Sequence, residues 1–186
     1  MRRMPWIAVL AWFAVTSAAS KTPAFKLESP VIKPGGTIDA QQVFHGMGCD
    51  GQNVSPELKW SGAPAGTKSF AITVYDPDAP TGSGWWHWVV YDIPASSTAL
   101  DSGAGTSDGA KLPAGAKQGR TDFGSPGFGG PCPPKGDKPH HYIFTVYALK
   151  VDRLDAPGDA TAAMLSYMMR ANKLAAATIT ATYQNK

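Results

Sequence analysis

The chain has 186 residues, of which only 17% are Asp, Glu, Lys or Arg, and a formal net charge of +3. That length supports one domain with a real core, and the absence of any basic run or stripe makes nucleic acid a poor candidate partner. Gly (20) and Pro (16) are frequent and helix formers are scarce outside the last thirty residues, so strands joined by many loops are expected.

Taken in chain order, the first twenty residues read as a secretory leader. Arg2 and Arg3 form a basic n-region, Pro5 to Val15 an apolar h-region, and TSAAS a small-residue cleavage site near Ala19 or Ser20. The apolar run is too short to span a bilayer, which takes about 20 residues. The segment has no cysteine to carry a lipid. The expectation is a cleaved signal peptide (1–20), a single domain (21–186), a periplasmic or secreted location, and no transmembrane anchor after processing.

Short apolar runs then alternate with turn signals. Residues 24–32 and 39–44 read as early strands, 56–60 as another, and 69–76, 85–93 and 141–149 as strong ones rich in β-branched and aromatic residues. Residues 94–130 form a long Gly-, Ser- and Pro-rich surface excursion with room for a short strand near Lys111–Gln118. Residues 157–172 predict a helix with Asp159 as its N-cap, and 177–184 a closing strand. The fold class is mainly β, an antiparallel β-sandwich with a late helix and a final strand.

Two cysteines are present, Cys49 and Cys132. In an exported chain an even pair favours a disulfide. Closing so long a loop contributes about 4.5 kcal/mol in the chain-entropy account. Two free thiols, or a metal site shared with a nearby histidine, are the alternatives.

Chemistry gathers at the strand ends. The face carrying Phe70, Ile72 and Val74 leads out to Asp76, and Asp78 follows in DPDAP, stiffened by Pro77 and Pro80. Strict alternation puts Trp85, His87, Val89 and Tyr91 on one face and Trp86, Trp88 and Val90 on the other. GPCPPKGDKPHHY (130–142) feeds His140 and Tyr142 to one side of a strand and His141 to the other. Each piece alone has a commonplace role in turns or packing. Together, two acids, two imidazoles, a phenol and a Gly-Pro backbone suit a small anion, with indole walls for an apolar or cationic group beside it.

DPDAP (76–80), WHWVVYDIP (86–94), GPCPPKGDKPHHY (130–142), VFHGMGCDGQNVSPELKW (43–60) and RTDFGSPGFGGPCPP (120–134) resemble the phosphatidylethanolamine-binding protein family, in its bacterial Raf-kinase-inhibitor-like branch. The resemblance covers about residues 25–184. It implies a β-sandwich with an anion pocket at one end, taking phosphate or a phospholipid head group such as phosphorylethanolamine. Asp76, His87, Gly130, His140 and Tyr142 would line it, with Asp78 and Pro131 beside them. The family's frequent His-Arg-Tyr is His140-His141-Tyr142 here, and no kinase-regulating surface is recognisable.

Three functions follow from different classes. The first is a non-enzymatic binding protein for a small anionic ligand or phospholipid head group, without a cofactor. The second is a modulator of a protein partner, of protease or kinase type, acting through 94–130. The third is a metal-dependent hydrolase built on Asp76, Asp78, His87 and His140. It is the weakest, because the sequence has no H-E-x-x-H, G-x-S-x-G or P-loop motif.

Overall fold

A computed structural model describes residues 24–186; the leader and its cleavage site lie outside them. In chain order the elements are β1 (Lys26–Glu28), β2 (His45–Gly46), β3 (Cys49–Asp50), β4 (Leu58–Ser61), β5 (Ser69–Asp76), β6 (Trp85–Pro94), β7 (Ala99–Leu100), β8 (Lys117–Gln118), β9 (His140–Leu149), α1 (Ala162–Asn172) and β10 (Lys173–Tyr183). A three-stranded sheet runs β1-β4-β7 and a five-stranded sheet β10-β9-β5-β6-β8, while β2 and β3 form a separate ribbon. Neighbouring strands are antiparallel throughout.

The central strands are apolar on both sides because both sides are covered. Phe70, Ile72 and Val74 of β5 and Tyr142, Phe144, Val146 and Ala148 of β9 face the smaller sheet and build the main core with Leu58, Trp60 and Trp88. Ala71, Val89, Tyr91, Tyr147 and Leu149 face the other way and pack under Leu165 and Met169 of α1. Period-two alternation therefore yields two apolar faces, and the strong strands read as nearly continuous hydrophobic runs.

β6 departs from simple alternation twice. Val74 pairs with Trp88 and Tyr75 with Trp86, so His87 is an extra residue opposite β5. Trp86 packs at a tilt against Tyr75 and belongs with the helix-side cluster, whereas His87 packs against Tyr142 of the main core. The expected grouping of His87 with Val89 and Tyr91 is thus corrected: a β-bulge moves the imidazole to the cavity side. A second bulge lies between the pairs Phe70/Ile93 and Ile72/Val90. There Asp92 adopts φ 57 and accepts the Leu154 N–H at 2.7 Å.

Four expected elements change. Only Lys26–Glu28 of 24–32 is strand, because the Ser29 hydroxyl turns back to the Val31 and Ile32 N–H groups. Residues 39–44 are not a strand: the Ala40, Gln41 and Val43 carbonyls accept from Gln52, Val54 and Asn53 in a tight loop. The helix begins at Ala162 with Thr161, not Asp159, as N-cap. A turn closed by Ala160 N–H on the Pro157 carbonyl uses up 157–160, and Ala162 N–H bonds the Arg120 carbonyl, which fixes the start. The last strand begins at Lys173 rather than 177, since Lys173 already pairs with Leu149.

The 94–130 segment is more than a surface excursion. Apart from β7 and β8 it is irregular, yet Ala104 and Phe128 are buried in the main core and Gly129 N–H bonds the His87 carbonyl at 2.9 Å.

Cys49 and Cys132 are joined, with Cα atoms 5.9 Å apart and a sequence separation of 83. The bond ties the β2–β3 ribbon to the proline loop ahead of β9. Mass spectrometry of the unreduced protein should show a chain two protons lighter than the dithiol; a free-thiol titre of two would contradict this bond. Phe144 is fully buried between β5 and β10. Phe144→Ala should therefore cost about 3–5 kcal/mol in urea denaturation.

Candidate functional site

β5, β6 and β9 end together at one rim of the five-stranded sheet, and three connections shape what their ends enclose. The β5–β6 connection begins at Asp76, whose Oδ1 accepts the Asp78 N–H (2.8 Å) and the Ala79 N–H (3.1 Å). The carboxylate thus closes its own turn. Gly84, at φ 72, ends this connection; a Cβ there would lie 2.3 Å from the Tyr75 hydroxyl, so only glycine lets the chain turn into Trp85. The proline loop is sewn to the C-terminal residues, with Gly136 N–H on the Asn185 carbonyl and Gln184 on the Asp137 carbonyl. His140 then enters β9 opposite Tyr183.

The result is a cavity of about 180 Å³. Asp76, Trp85, His87, His140 and Tyr142 supply its polar atoms, and Met47, Ala79, Pro80, Phe123, Pro133 and Pro134 most of its apolar wall. Asp76, His87, His140 and Tyr142 are 2%, 4%, 4% and 0% exposed. These four side chains are therefore largely withdrawn from solvent, where an unpaired polar atom is costly.

Two donors of the lining lack a proper partner. The Trp85 indole N–H is buried without a hydrogen-bond partner among the described residues, and the Tyr142 hydroxyl lacks one of regular geometry, with only the Asp76 carboxylate acting on it. Burial, and then the neighbouring Asp76 carboxylate, push the Tyr142 phenol far above its ordinary pKa, so it keeps its proton. Both imidazoles are fixed from outside. His87 Nδ1 donates to the Gly129 carbonyl at 2.7 Å. His140 Nδ1 donates to Asp76 Oδ2 at 2.8 Å, with Asp137 Oδ2 lying 3.6 Å from its Nε2. Burial pushes the His87 pKa down to about 4, against the opposing pull of the Gly129 carbonyl and of Asp76.

Of the seven residues read from sequence as ligand-binding, four come together in the lining: Asp76, His87, His140 and Tyr142. Asp78, Gly130 and Pro131 do not. Asp78 Oδ2 accepts both the backbone N–H and Nδ1 of exposed His141, each at 2.7 Å. Partial burial raises the Asp78 carboxyl, but these His141 bonds outweigh it and hold the pKa below the usual value. The Gly130 N–H is consumed by Asn53 Oδ1 at 2.7 Å, so it cannot cradle an anion. Glycine is required there because a Cβ would sit 1.9 Å from the Gln42 carbonyl. The Pro131 carbonyl accepts from Phe44 N–H. Asp76, Asp78, His87 and His140 do not form a metal-binding group, and no group of three or more His, Cys, Asp or Glu among the described residues could hold a metal ion.

Sequence reading missed Trp85 as a donor, treating the indoles as walls. It also missed Met47 and Phe123, which reach the cavity from the β2–β3 ribbon and the 94–130 segment. The same two residues border a wider cleft of about 970 Å³ running along Asn53–Ser55 and Gly103–Ser107.

Strand ends of a sandwich that enclose a small apolar cavity with a few convergent polar groups have the usual form of a binding pocket. Residues 28–184 match the phosphatidylethanolamine-binding protein family, and the chain belongs to it. The protein YbcL of Escherichia coli is 56% identical over 178 residues, 96% of each chain. YbhB of the same organism is 50% identical over 158 residues, 85% of this chain and 99% of that one. The crystal structure of E. coli YbcL, described as a new member of the mammalian family, superposes with a TM-score of 0.85 at 58% identity. It covers 87% of this chain and 99% of that one.

The buried His87 makes this end of the fold sensitive to acid. Its pKa is lower folded than unfolded, so the unfolded chain binds the extra proton between about pH 6.5 and 4. The contribution of neutral His87 is complete above pH 6.5 and is lost as pH falls toward 4. Relative to His87→Gln, the wild type should lose on the order of 3 kcal/mol of stability over that window, measured by urea denaturation at fixed pH.

Proposed function

We propose that the protein is a non-enzymatic, exported binding protein for a small oxyanion, phosphate or the phosphate of a phospholipid head group such as phosphorylethanolamine. One observation carries this reading: Trp85 Nε1–H is a buried donor without a partner, and Tyr142 O–H has only the already engaged Asp76 carboxylate beside it, both lining the cavity that holds the two imidazoles. An unmet buried donor costs about 1–3 kcal/mol, which an accepting ligand would relieve. The Asp76 carboxylate does not oppose an anion as a bare charge would. Its oxygens already accept three hydrogen bonds, from Asp78, Ala79 and His140. The apolar wall of Pro80, Phe123 and Met47 then suits the carbon skeleton of a phosphate ester. The basic, apolar and small-residue order of the first twenty residues and the Cys49–Cys132 bond support export.

A second reading has its own observation. The wide cleft beside the cavity is bordered by the 94–130 segment, which suits a protein partner docking across both.

Calorimetric titration with phosphate and with phosphorylethanolamine, alongside His87→Ala, separates the two. Binding that weakens at least tenfold in the variant, with the fold retained, supports the anion reading. Absence of binding to either compound moves the weight to the protein partner.

A further inference from the structure

The oxyanion reading leaves open which protonation state of a ligand the cavity accepts, and the hydrogen-bond inventory bears on that. A backbone carbonyl can only accept, so the 2.7 Å contact between His87 Nδ1 and the Gly129 oxygen fixes the proton on Nδ1. The neutral ring therefore offers the cavity a lone pair at Nε2. His140 is fixed in the same sense: Asp76 Oδ2, 2.8 Å away, takes its Nδ1 proton. Both rings are anchored through Nδ1 from the far side; His87 offers Nε2 to the cavity, whereas His140 Nε2 has Asp137 Oδ2 3.6 Å away. The donors of the lining are Trp85 Nε1–H, without a partner, and Tyr142 O–H, with only the engaged Asp76 carboxylate beside it.

Two donors do not complete the shell of a tetrahedral oxyanion, and a lone pair facing an ionised oxygen repels it. One extra hydrogen between Nε2 and the ligand turns that repulsion into a charge-assisted bond. We propose, building on the oxyanion reading above, that the cavity binds an oxyanion together with one proton shared with His87 Nε2. Its ligands are then phosphomonoesters that arrive with a P–OH group, and a fully ionised oxyanion binds only with proton uptake.

The groups facing His87 fit this arrangement. β5 contributes Asp76, β9 contributes His140 and Tyr142, and the 120–130 segment contributes Asp122. Asp122 Oδ2 is occupied by the Trp86 N–H at 2.7 Å. None of these supplies a cation of fixed charge. Burial keeps the His87 imidazole neutral well below pH 7, so the proton comes with the anion and is not waiting for it.

The test is calorimetry on the mature, disulfide-bonded protein from pH 5 to 8, in buffers of different ionisation heat. The probes are sulfate, which carries no proton in this range, and inorganic phosphate, whose monoanion does. Sulfate affinity should fall about tenfold per pH unit from pH 5 to 7, with uptake of close to one proton. Phosphate at pH 6 should bind with little uptake. In His87→Gln, sulfate should still bind, through the amide N–H, but without uptake or pH dependence. Sulfate binding that is pH-independent and proton-neutral in the wild type overturns the proposal and leaves the oxyanion reading intact. Uptake that persists in His87→Gln overturns the assignment to His87. Failure of both anions to bind at any pH overturns the oxyanion reading as well.

Discussion

The Asp76 carboxylate holds the functional end of this molecule together. It stands where β5 leaves the sheet, and its two oxygens serve different structures. Oδ1 closes the turn that carries the chain toward β6, and Oδ2 holds the imidazole at the start of β9. One buried charge therefore sets the relative position of two connections, the β5–β6 turn and the proline loop into β9. A carboxylate at 2% exposure is tolerable only because its lone pairs are occupied. Those same bonds occupy the lone pairs that a metal would need, which joins the stability of the rim to its chemistry.

The second constraint is the bulge in β6. Without the extra residue, His87 would lie under the helix with Val89 and Tyr91, and the cavity would lose a polar wall. The bulge turns His87 toward Tyr142 and places it within reach of the Gly129 carbonyl. That carbonyl is itself held because Gly129 N–H bonds back to the His87 carbonyl and Gly130 N–H bonds Asn53. The loop glycines thus tune the imidazole from behind. Gly130, read from sequence as part of an anion cradle, gives its N–H to Asn53, and the carbonyl of Gly129 before it sets the His87 tautomer.

Rigidity around the cavity comes from irregular segments. The β2–β3 ribbon is two residues per strand and could not hold its place alone. The Cys49–Cys132 bond fastens it to the proline loop, which in turn bonds the C-terminal residues 184 and 185. Met47, at the ribbon tip, consequently closes one side of the cavity although the residue itself is largely exposed. Phe123 closes another from the 94–130 segment and stacks on Phe44.

The sequence by itself determined the fold class, the strong strands and four of the lining residues. Apolar runs such as SFAITVYD and HYIFTVYAL can bury both faces only between two covering layers, and the proline-bounded turns mark where strands end. It also pointed to the Cys49–Cys132 pair. Whatever depends on distant partners was decided by tertiary structure. Thr161 rather than Asp159 caps the helix because Arg120 bonds the next residue. Residues 173–176, alanine-rich and without strand character, are strand because β9 pairs with them. Asp78 turns outward because His141 offers it two hydrogens, and Trp85 is a free donor because nothing in the folded rim reaches its indole N–H. Alternation could not reveal the bulge at His87, since one inserted residue reverses a side chain's face while leaving the local pattern of hydrophobicity unchanged.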